Sequence, residues 1–458
     1  MRVGRLIAPD LSTMLEADPG SVVEAVDDMH PEDLAEIVDA LPRSDAIHLL
    51  RLLPNQRAAD ILERLVPELQ VELVQSLGST DAIEILAEMD PDDAVDVVQE
   101  LEAEHAQSLL EELEKSEPEA ADEIRELVHH GPKTAGGLMT TEFVSLVPET
   151  KVWEAIEEVR RQARELDVET IYYTYVCHYG SQLLGVVSLR ELILSDPAQT
   201  LAEIMHTMVV HVALEDDQEL VAQTMARYDL NAIPVVDDHG RMVGVVTVDD
   251  VVDVVINEAT EDVHMMGGVV PLEESYFATG LLAFVWKRGA WLVLLFLGQL
   301  LTATVMEQNQ GALQQTVSLA IFIPLIIASG GNAGSQSSTL VIRAMAVGEL
   351  EPRDWLRVFW REFGVGAALG LALGAMGFVR ATFVGEAVDP MLLALVVGVS
   401  IVAIVVLSTI VGSLLPIAIK QLGLDPAVSS TPFIASVVDV LGLIVYFTFA
   451  GFLLNVVL

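Results

Sequence analysis

Three groups of residues in this chain have types and spacings suited to holding a cation. The first is one carboxylate, Asp439, near the middle of the apolar stretch 428–458. Crossing a bilayer takes roughly 20 apolar residues, and a charge at mid-depth costs about 2.5–3.5 kcal/mol even on insertion scales. Such a side chain must face a protein interior or a water-filled path, where a cation is its natural partner. A protonated Asp bonded to a neighbouring helix meets the same demand. The second group is Asn332 and Gln336, one helical turn apart and just after Gly330 and Gly331 in another apolar stretch. Amides at membrane depth are tolerated where they line a cavity or bond across small-residue helix contacts. The third is Asp253, Asn257, Glu258, Glu261 and Asp262, which recur every three to four residues. On a helix these charges stand on neighbouring turns and repel. A divalent cation or a basic neighbour relieves that repulsion; a solvated face is the plain alternative.

The elements that must position these groups differ sharply in composition. Net charge is −44, and 59 of the 68 Asp and Glu residues precede residue 286, against 16 of the 24 Lys and Arg. An acidic soluble half is therefore joined to an apolar membrane half. The acidic half repels nucleic acid and anionic headgroups and attracts divalent cations, although halophilic or solubilising acidity has the same signature. One cysteine, Cys177, excludes an intrachain disulfide and a multi-Cys metal site. The first residues lack a long apolar core, so no cleaved signal peptide is expected and the soluble half should stay in the cytosol.

Residues 1–132 repeat a short theme. Met89-Asp90-Pro91-Asp92-Asp93 follows Met29-His30-Pro31-Glu32-Asp33, with a looser copy around Pro54. Proline in the first turn of a helix costs nothing, and carboxylates after it suit the helix N-terminus. Apolar residues then recur at helical spacing. The reading is an all-α, solenoid-like array of short helices. Residues 133–250 contain two similar units, around Val186-Val187-Ser188 and Val245-Val246-Thr247, each a strand running into a helix. The order strand, helix, strand, strand, helix, given twice, resembles a tandem CBS pair, with Leu138-Met139-Thr140 as entry to the first module. Such pairs often hold adenosine nucleotides. Thr247 and Asp250 match the family's ribose contact, whereas the first module has Ser188 and Glu191. Residues 251–285 read as a connector that extends the last CBS helix.

Residues 286–458 read as five spans, near 286–307, 313–347, 358–384, 391–419 and 428–458, the second broken or bent at Gly330-Gly331. Lys287, Arg288, Arg343, Arg353, Arg357, Arg361 and Lys420 fall on one side. Glu307, Glu386, Asp389 and a single Arg380 fall on the other. Positive-inside places the N-terminal half in the cytosol and the C-terminus outside. A protease built on intramembrane aspartates needs a second, opposed carboxylate. Asp439 reads as alone at depth, so an enzyme is not expected.

The order of acidic array, CBS pair, acidic connector and five spans, with Pro324-Leu-Ile-Ile-Ala-Ser-Gly-Gly-Asn-Ala-Gly-Ser-Gln-Ser337, Asp425-Pro426, Pro432 and Asp439, resembles the MgtE family of magnesium transporters and channels over essentially the whole chain. The resemblance implies a plasma-membrane homodimer that carries Mg²⁺ into the cytosol. Its pore would lie between two membrane domains, with Asp439 and Asn332 as pore metal contacts and Gly330, Gly331, Gln336 and Pro432 lining it. It further implies that cytosolic Mg²⁺ closes the pore by binding acids of the array (Asp90, Asp92, Asp93, Asp96), the CBS pair (Asp249, Asp250) and the connector, or plug, helix (Asp253, Glu258, Glu261, Asp262). ATP at Thr247 and Asp250 is a further expectation. A CBS-regulated transporter of Mn²⁺ or Co²⁺ is the alternative.

Overall fold

The structure is a computed structural model, and it describes residues 4–165, 171–178, 181–272, 276–277, 279–384 and 389–454. Glu386 and the last four residues of the fifth expected span lie outside the described residues. The chain divides into two compact units, Met1–Val255 and Ile256–Leu458.

The first unit opens with ten short helices: α1 (Gly4–Ala17), α2 (Pro19–Val26), α3 (Pro31–Ala40), α4 (Arg43–Leu52), α5 (Asn55–Leu62), α6 (Pro67–Leu77), α7 (Ser79–Leu86), α8 (Pro91–Glu100), α9 (Ala103–Ser116) and α10 (Pro118–Leu127). Proline begins α2, α3, α6, α8 and α10, so the theme read at two positions extends to five. Pro54 instead stands one residue before α5, at its N-cap. Odd-numbered helices pack in one row, α1 to α9, and α4, α6, α8 and α10 in a second. Between the rows lie fully buried Leu34, Leu49, Ile61, Leu62 and Leu73. Each helix has only two to four turns, marginal on its own. The shared apolar core holds them.

The α/β part follows as β1 (Ser145–Leu146), α11 (Val152–Glu165), β2 (Tyr173–Cys177), β3 (Leu183–Ser188), α12 (Leu189–Leu194), α13 (Leu201–Ile204), β4 (Val212–Ala213), α14 (Gln218–Tyr228), β5 (Ala232–Val236), β6 (Met242–Thr247) and α15 (Val248–Met266). Each module is a three-stranded sheet whose first pair is parallel and second antiparallel. Both carry a register shift at the end of the middle strand, at Val176/Cys177 and Val235/Val236. The entry segment of the first module also reaches across to the second. Thr140 pairs with Val245, and a side chain at Gly244 would meet Met139. In return His206 pairs with Val186 of the first module. One core runs from the helical rows into the second module, through Ile233, Val246, Val251 and Val254. It brings the start of α8 and the start of α15 into one unit.

Among the described residues, the second unit holds five helices long and apolar enough to cross a membrane: α16 (Leu281–Gln308), then, after the short α17 (Gln310–Gln315), α18 (Ser318–Ala346), α19 (Trp355–Thr382, with a preceding turn from Pro352), α20 (Pro390–Gln421) and α21 (Thr431–Leu454). The interruption expected at Gly330-Gly331 falls instead at Thr316–Val317, and α18 runs unbroken through the glycines. Close approach of helices accounts for these glycines. A Cβ at Gly330 would lie 2.7 Å from Ile404 of α20 and 2.8 Å from Val438 of α21. A Cβ at Gly334 would be 3.0 Å from Ile434. Small residues let membrane helices pack this closely.

Candidate functional site

Among the described residues, one group of carboxylates converges closely enough to hold a metal ion, and it lies in the first unit. Glu63 follows the last turn of α5, Asp90 occupies the N-cap position of α8, and Asp93 lies in the first turn of α8. One carboxylate oxygen of each lies within 4.8 Å of the others. Glu63 Oε1 accepts the Asp90 backbone N–H at 3.1 Å, which fixes two of the three against each other. Burial, then the Asp90 charge, pushes Glu63 up to about 7. Burial, then the charges of Glu63 and Asp250, raises Asp93 well above the usual carboxylate range. Asp250, in the first turn of α15, is pushed up to about 7, first by burial and then by Asp249, Asp90 and Asp253, against a lowering hydrogen bond from Thr247. Arg64, 3.3 Å from Glu63, is a cation at this point, far short of balancing the acids.

Such an arrangement suits a divalent ion. Mg²⁺ takes oxygen ligands at about 2.0–2.1 Å and keeps several waters. Three converging carboxylates can meet it directly or through that shell. Without a cation, protons do the compensating. An acid whose pKa is raised by folding keeps a proton that the unfolded chain has already lost, so stability falls as pH rises from about 4 to about 7. Mg²⁺ must displace those protons. Calorimetric titration of the full-length protein with Mg²⁺ at pH 6.5, in buffers of different ionisation enthalpy, should therefore show net proton release that fades above pH 8. Binding enthalpy independent of buffer would contradict this.

Of the array acids expected from the sequence, Asp90 and Asp93 join the cluster. Asp92 is buried in the first turn of α8, and Asp96 lies exposed a turn later. Glu63 was missed. Its signal is faint, since Glu63 is followed by Arg64 and reads as a surface ion pair. Asp249 is exposed, its Oδ1 accepting the Thr247 hydroxyl at 2.5 Å; the same hydroxyl reaches Asp250 Oδ2 at 2.7 Å. Thr247 and Asp250 are thus adjacent, but Asp250 also faces the acidic cluster. In the first module Ser188 and Glu191 form a capping box, and Glu191 also meets His206 at 2.6 Å.

On the connector, Asp253 is exposed while Glu258, Glu261 and Asp262 are half-buried on α15. Asp262 is pushed up to about 6, by burial first, then by Asp425 and Glu258, with Arg343 opposing. Asp425 caps the short turn before α21, accepting from the Ala427 N–H at 2.8 Å. It stood in the sequence only as part of a motif and now joins the candidate acids.

In the membrane unit Asp439 is 9 % exposed. Its Oδ2 accepts a hydrogen bond from the Gln299 side-chain amide of α16 at 3.1 Å, and its Oδ1 would lie 3.8 Å from a Cβ at Gly331. Gln299 is an amide in the middle of an apolar helix, a signal passed over. Asn332 and Gln336 share an exposed face of α18 in the single protomer, and Pro432 is half-buried in the first turn of α21. Gly330 is buried against α20 and α21 and acts as a packing position. Asp439 is not the only carboxylate within a span. Glu362 of α19 accepts the Ser337 hydroxyl at 2.6 Å. Ser337 lies six residues beyond Gly331, about 9 Å along α18. Replacing Gln299 by leucine should lower cation flux about tenfold, because an unpartnered buried carboxylate costs about 1–3 kcal/mol and reorients; flux assays on reconstituted protein check this.

A multi-span membrane protein with an acidic, CBS-containing soluble half is the class these features define. The sequence matches the MgtE divalent cation transporter domain over residues 323–449, the MgtE intracellular N domain over 29–133 and CBS domains over 135–196 and 201–257. It is 43 % identical over 341 residues, 74 % of each chain, to the magnesium transporter MgtE of Thermus thermophilus. It is 38 % identical to that of Enterococcus faecalis, over 73 % of this chain and 72 % of the relative. The chain belongs to the MgtE family, a family of transporters and not of enzymes. Among solved structures it resembles the soluble part of a magnesium transporter (35 % identity, TM-score 0.52, 55 % of this chain and 98 % of that one). It also resembles the cytosolic domain of the Mg²⁺ channel MgtE in complex with ATP (40 %, TM-score 0.50, 53 % and 97 %).

Proposed function

We propose that this protein is a Mg²⁺-selective pathway into the cytosol, closed by Mg²⁺ bound to its acidic soluble half and connector. The observation that carries the transport reading is Asp439, a carboxylate deep in a membrane unit and held by an amide beside the small-residue turn of α18. In a homodimer, two copies of Asp439 would face a hydrated ion. Two negative charges favour a divalent over a monovalent ion, and carboxylates holding Mg²⁺ through its waters spare it the cost of dehydration. Binding through water also leaves the ion free to move on. Asn332, Gln336, Gly331 and Pro432 would line the approach.

Gating follows from the carboxylates in the soluble unit and the connector. At low internal Mg²⁺ their repulsion favours separation; at high Mg²⁺ bound ions bridge Glu63, Asp90, Asp93 and Asp250, and the acids around Asp262 and Asp425. Shifting a two-state equilibrium from 1:99 to 99:1 takes about 5.5 kcal/mol of differential binding, which several weak sites can supply together. Positive-inside charge supports a cytosolic soluble half. The Thr247–Asp250 pair and the ATP complex of a relative support ATP binding at the CBS pair, where it would share Asp250 with the acidic cluster. The test is divalent flux into liposomes of defined orientation, with internal Mg²⁺ varied. Mg²⁺ entry that stops as internal Mg²⁺ rises is the expected result. Entry of Mn²⁺ or Co²⁺ in clear preference to Mg²⁺ would favour the alternative cargo.

A further inference from the structure

Just past the end of the connector helix, the chain packs closely against α16 and the start of α21. Helix α15 ends at Met266, and Gly268 follows with φ +72°, a conformation that favours glycine. A Cβ there would lie 2.5 Å from Trp291 Cδ1, 2.6 Å from Trp291 Nε1 and 3.5 Å from Pro432 Cγ. The backbone of Gly268 therefore rests on the indole of α16 and beside the first turn of α21. The chain beyond it is tied to α16 as well: the Val270 N–H donates to the Lys287 carbonyl at 3.2 Å, and Lys287 Nζ donates to the Pro271 carbonyl at 2.8 Å.

Trp291 reaches across to α21. Its Nε1–H donates to Ser430 Oγ at 3.0 Å, and its ring lies 6.5 Å from that of Phe433. Ser430 is fully buried, and its Oγ also accepts the Phe433 N–H at 3.3 Å, so the serine is fixed to the start of α21. Eight residues on from Trp291, about 12 Å along α16, Gln299 holds Asp439. Helix α16 packs principally against α21, and little of its surface is buried. Two polar contacts, Trp291–Ser430 and Gln299–Asp439, thus pin it to α21.

We propose that Gly268, Trp291 and Ser430 are the link through which the connector sets the register of α16 on α21, and so the position of Asp439. This rests on the gating reading above. A shift of Gly268 pushes on the indole and on the start of α21 together. Because packed helices slide as units, the shift is carried along α16 to the Gln299–Asp439 contact. Trp291 touches no ion in this scheme; it is a positioning residue.

The test uses full-length protein in proteoliposomes, with Mg²⁺ as the probe. Trp291→Phe keeps the ring against Phe433 and removes the N–H; Ser430→Ala removes the acceptor. Each should leave flux at low internal Mg²⁺ within about twofold of the parent while raising the half-inhibiting internal Mg²⁺ about tenfold, within the usual range of coupling. The double variant should shift no further, since both changes break one bond. A purely structural role would instead lower flux at every Mg²⁺ concentration, and that result overturns the link. Glu63→Gln/Asp93→Asn is run alongside. If it loses inhibition while Trp291→Phe and Ser430→Ala keep the parent response, the link falls and the sensor stands. If all variants keep the parent response, the sensor reading falls and takes the link with it.

Discussion

Replacing Asp439 by alanine should lower Mg²⁺ entry into proteoliposomes at least about 100-fold, equivalent to about 2.7 kcal/mol at the rate-determining barrier. The size of the effect follows from scarcity. Asp439 is buried in α21, and its neighbour on α18 is glycine. The other carboxylate described within a span, Glu362, bonds Ser337 about 9 Å further along α18. Asp439→Asn is the sharper variant, because it keeps the shape and a group able to bond Gln299 while removing the charge. Loss of flux in Asn and Ala alike assigns the effect to charge. Flux retained in Asn would reduce Asp439 to a hydrogen-bonding role, and flux retained in both would remove it from the path. Gel filtration of each variant checks that assembly is unchanged.

Neutralising Glu63 and Asp93 together, as Gln and Asn, should have the next largest effect, on two measurements at once. Burying these acids in their charged form is costly, which is why both hold protons far above the normal carboxylate range. Without Mg²⁺ at pH 8 the variant should therefore melt higher than the parent. Adding Mg²⁺ should stabilise it much less, since ligand binding stabilises in proportion to ln(1 + [L]/Kd) and two of the cluster's ligands are gone. In flux assays the half-inhibiting internal Mg²⁺ should rise at least about tenfold, a coupling change of about 1.4 kcal/mol. A variant that melts higher yet keeps the parent's inhibition would show that this cluster stabilises without sensing. The connector acids Glu258, Glu261 and Asp262 would then be the sensor, and their joint neutralisation would remove inhibition.

The elements are legible in the residues alone. Pro at helix starts, apolar residues at helical spacing and the doubled strand–helix pattern were enough for the helical array and the CBS pair. Five apolar stretches sufficed for the spans. These are local signals, written in periodicity and in residues such as Pro31 and Pro91 that restrict the backbone directly. Asp439 was legible for a related reason, because a carboxylate in an apolar stretch is costly wherever it ends up. Packing decided the rest. Gly330 and Gly331 read as a helix break, yet α18 runs through them because α20 and α21 press against that face. The entry segment of the first CBS module also pairs with the second module, a contact that no local pattern announces. Glu63, Gln299 and Asp425 carry at most a faint local mark, and nothing local names their partners. Each matters only through a partner that lies 27, 140 or 163 residues away in the chain, at Asp90, Asp439 and Asp262. Electrostatics and hydrogen bonds act across space, so only the tertiary structure could select which of the many acids stand together.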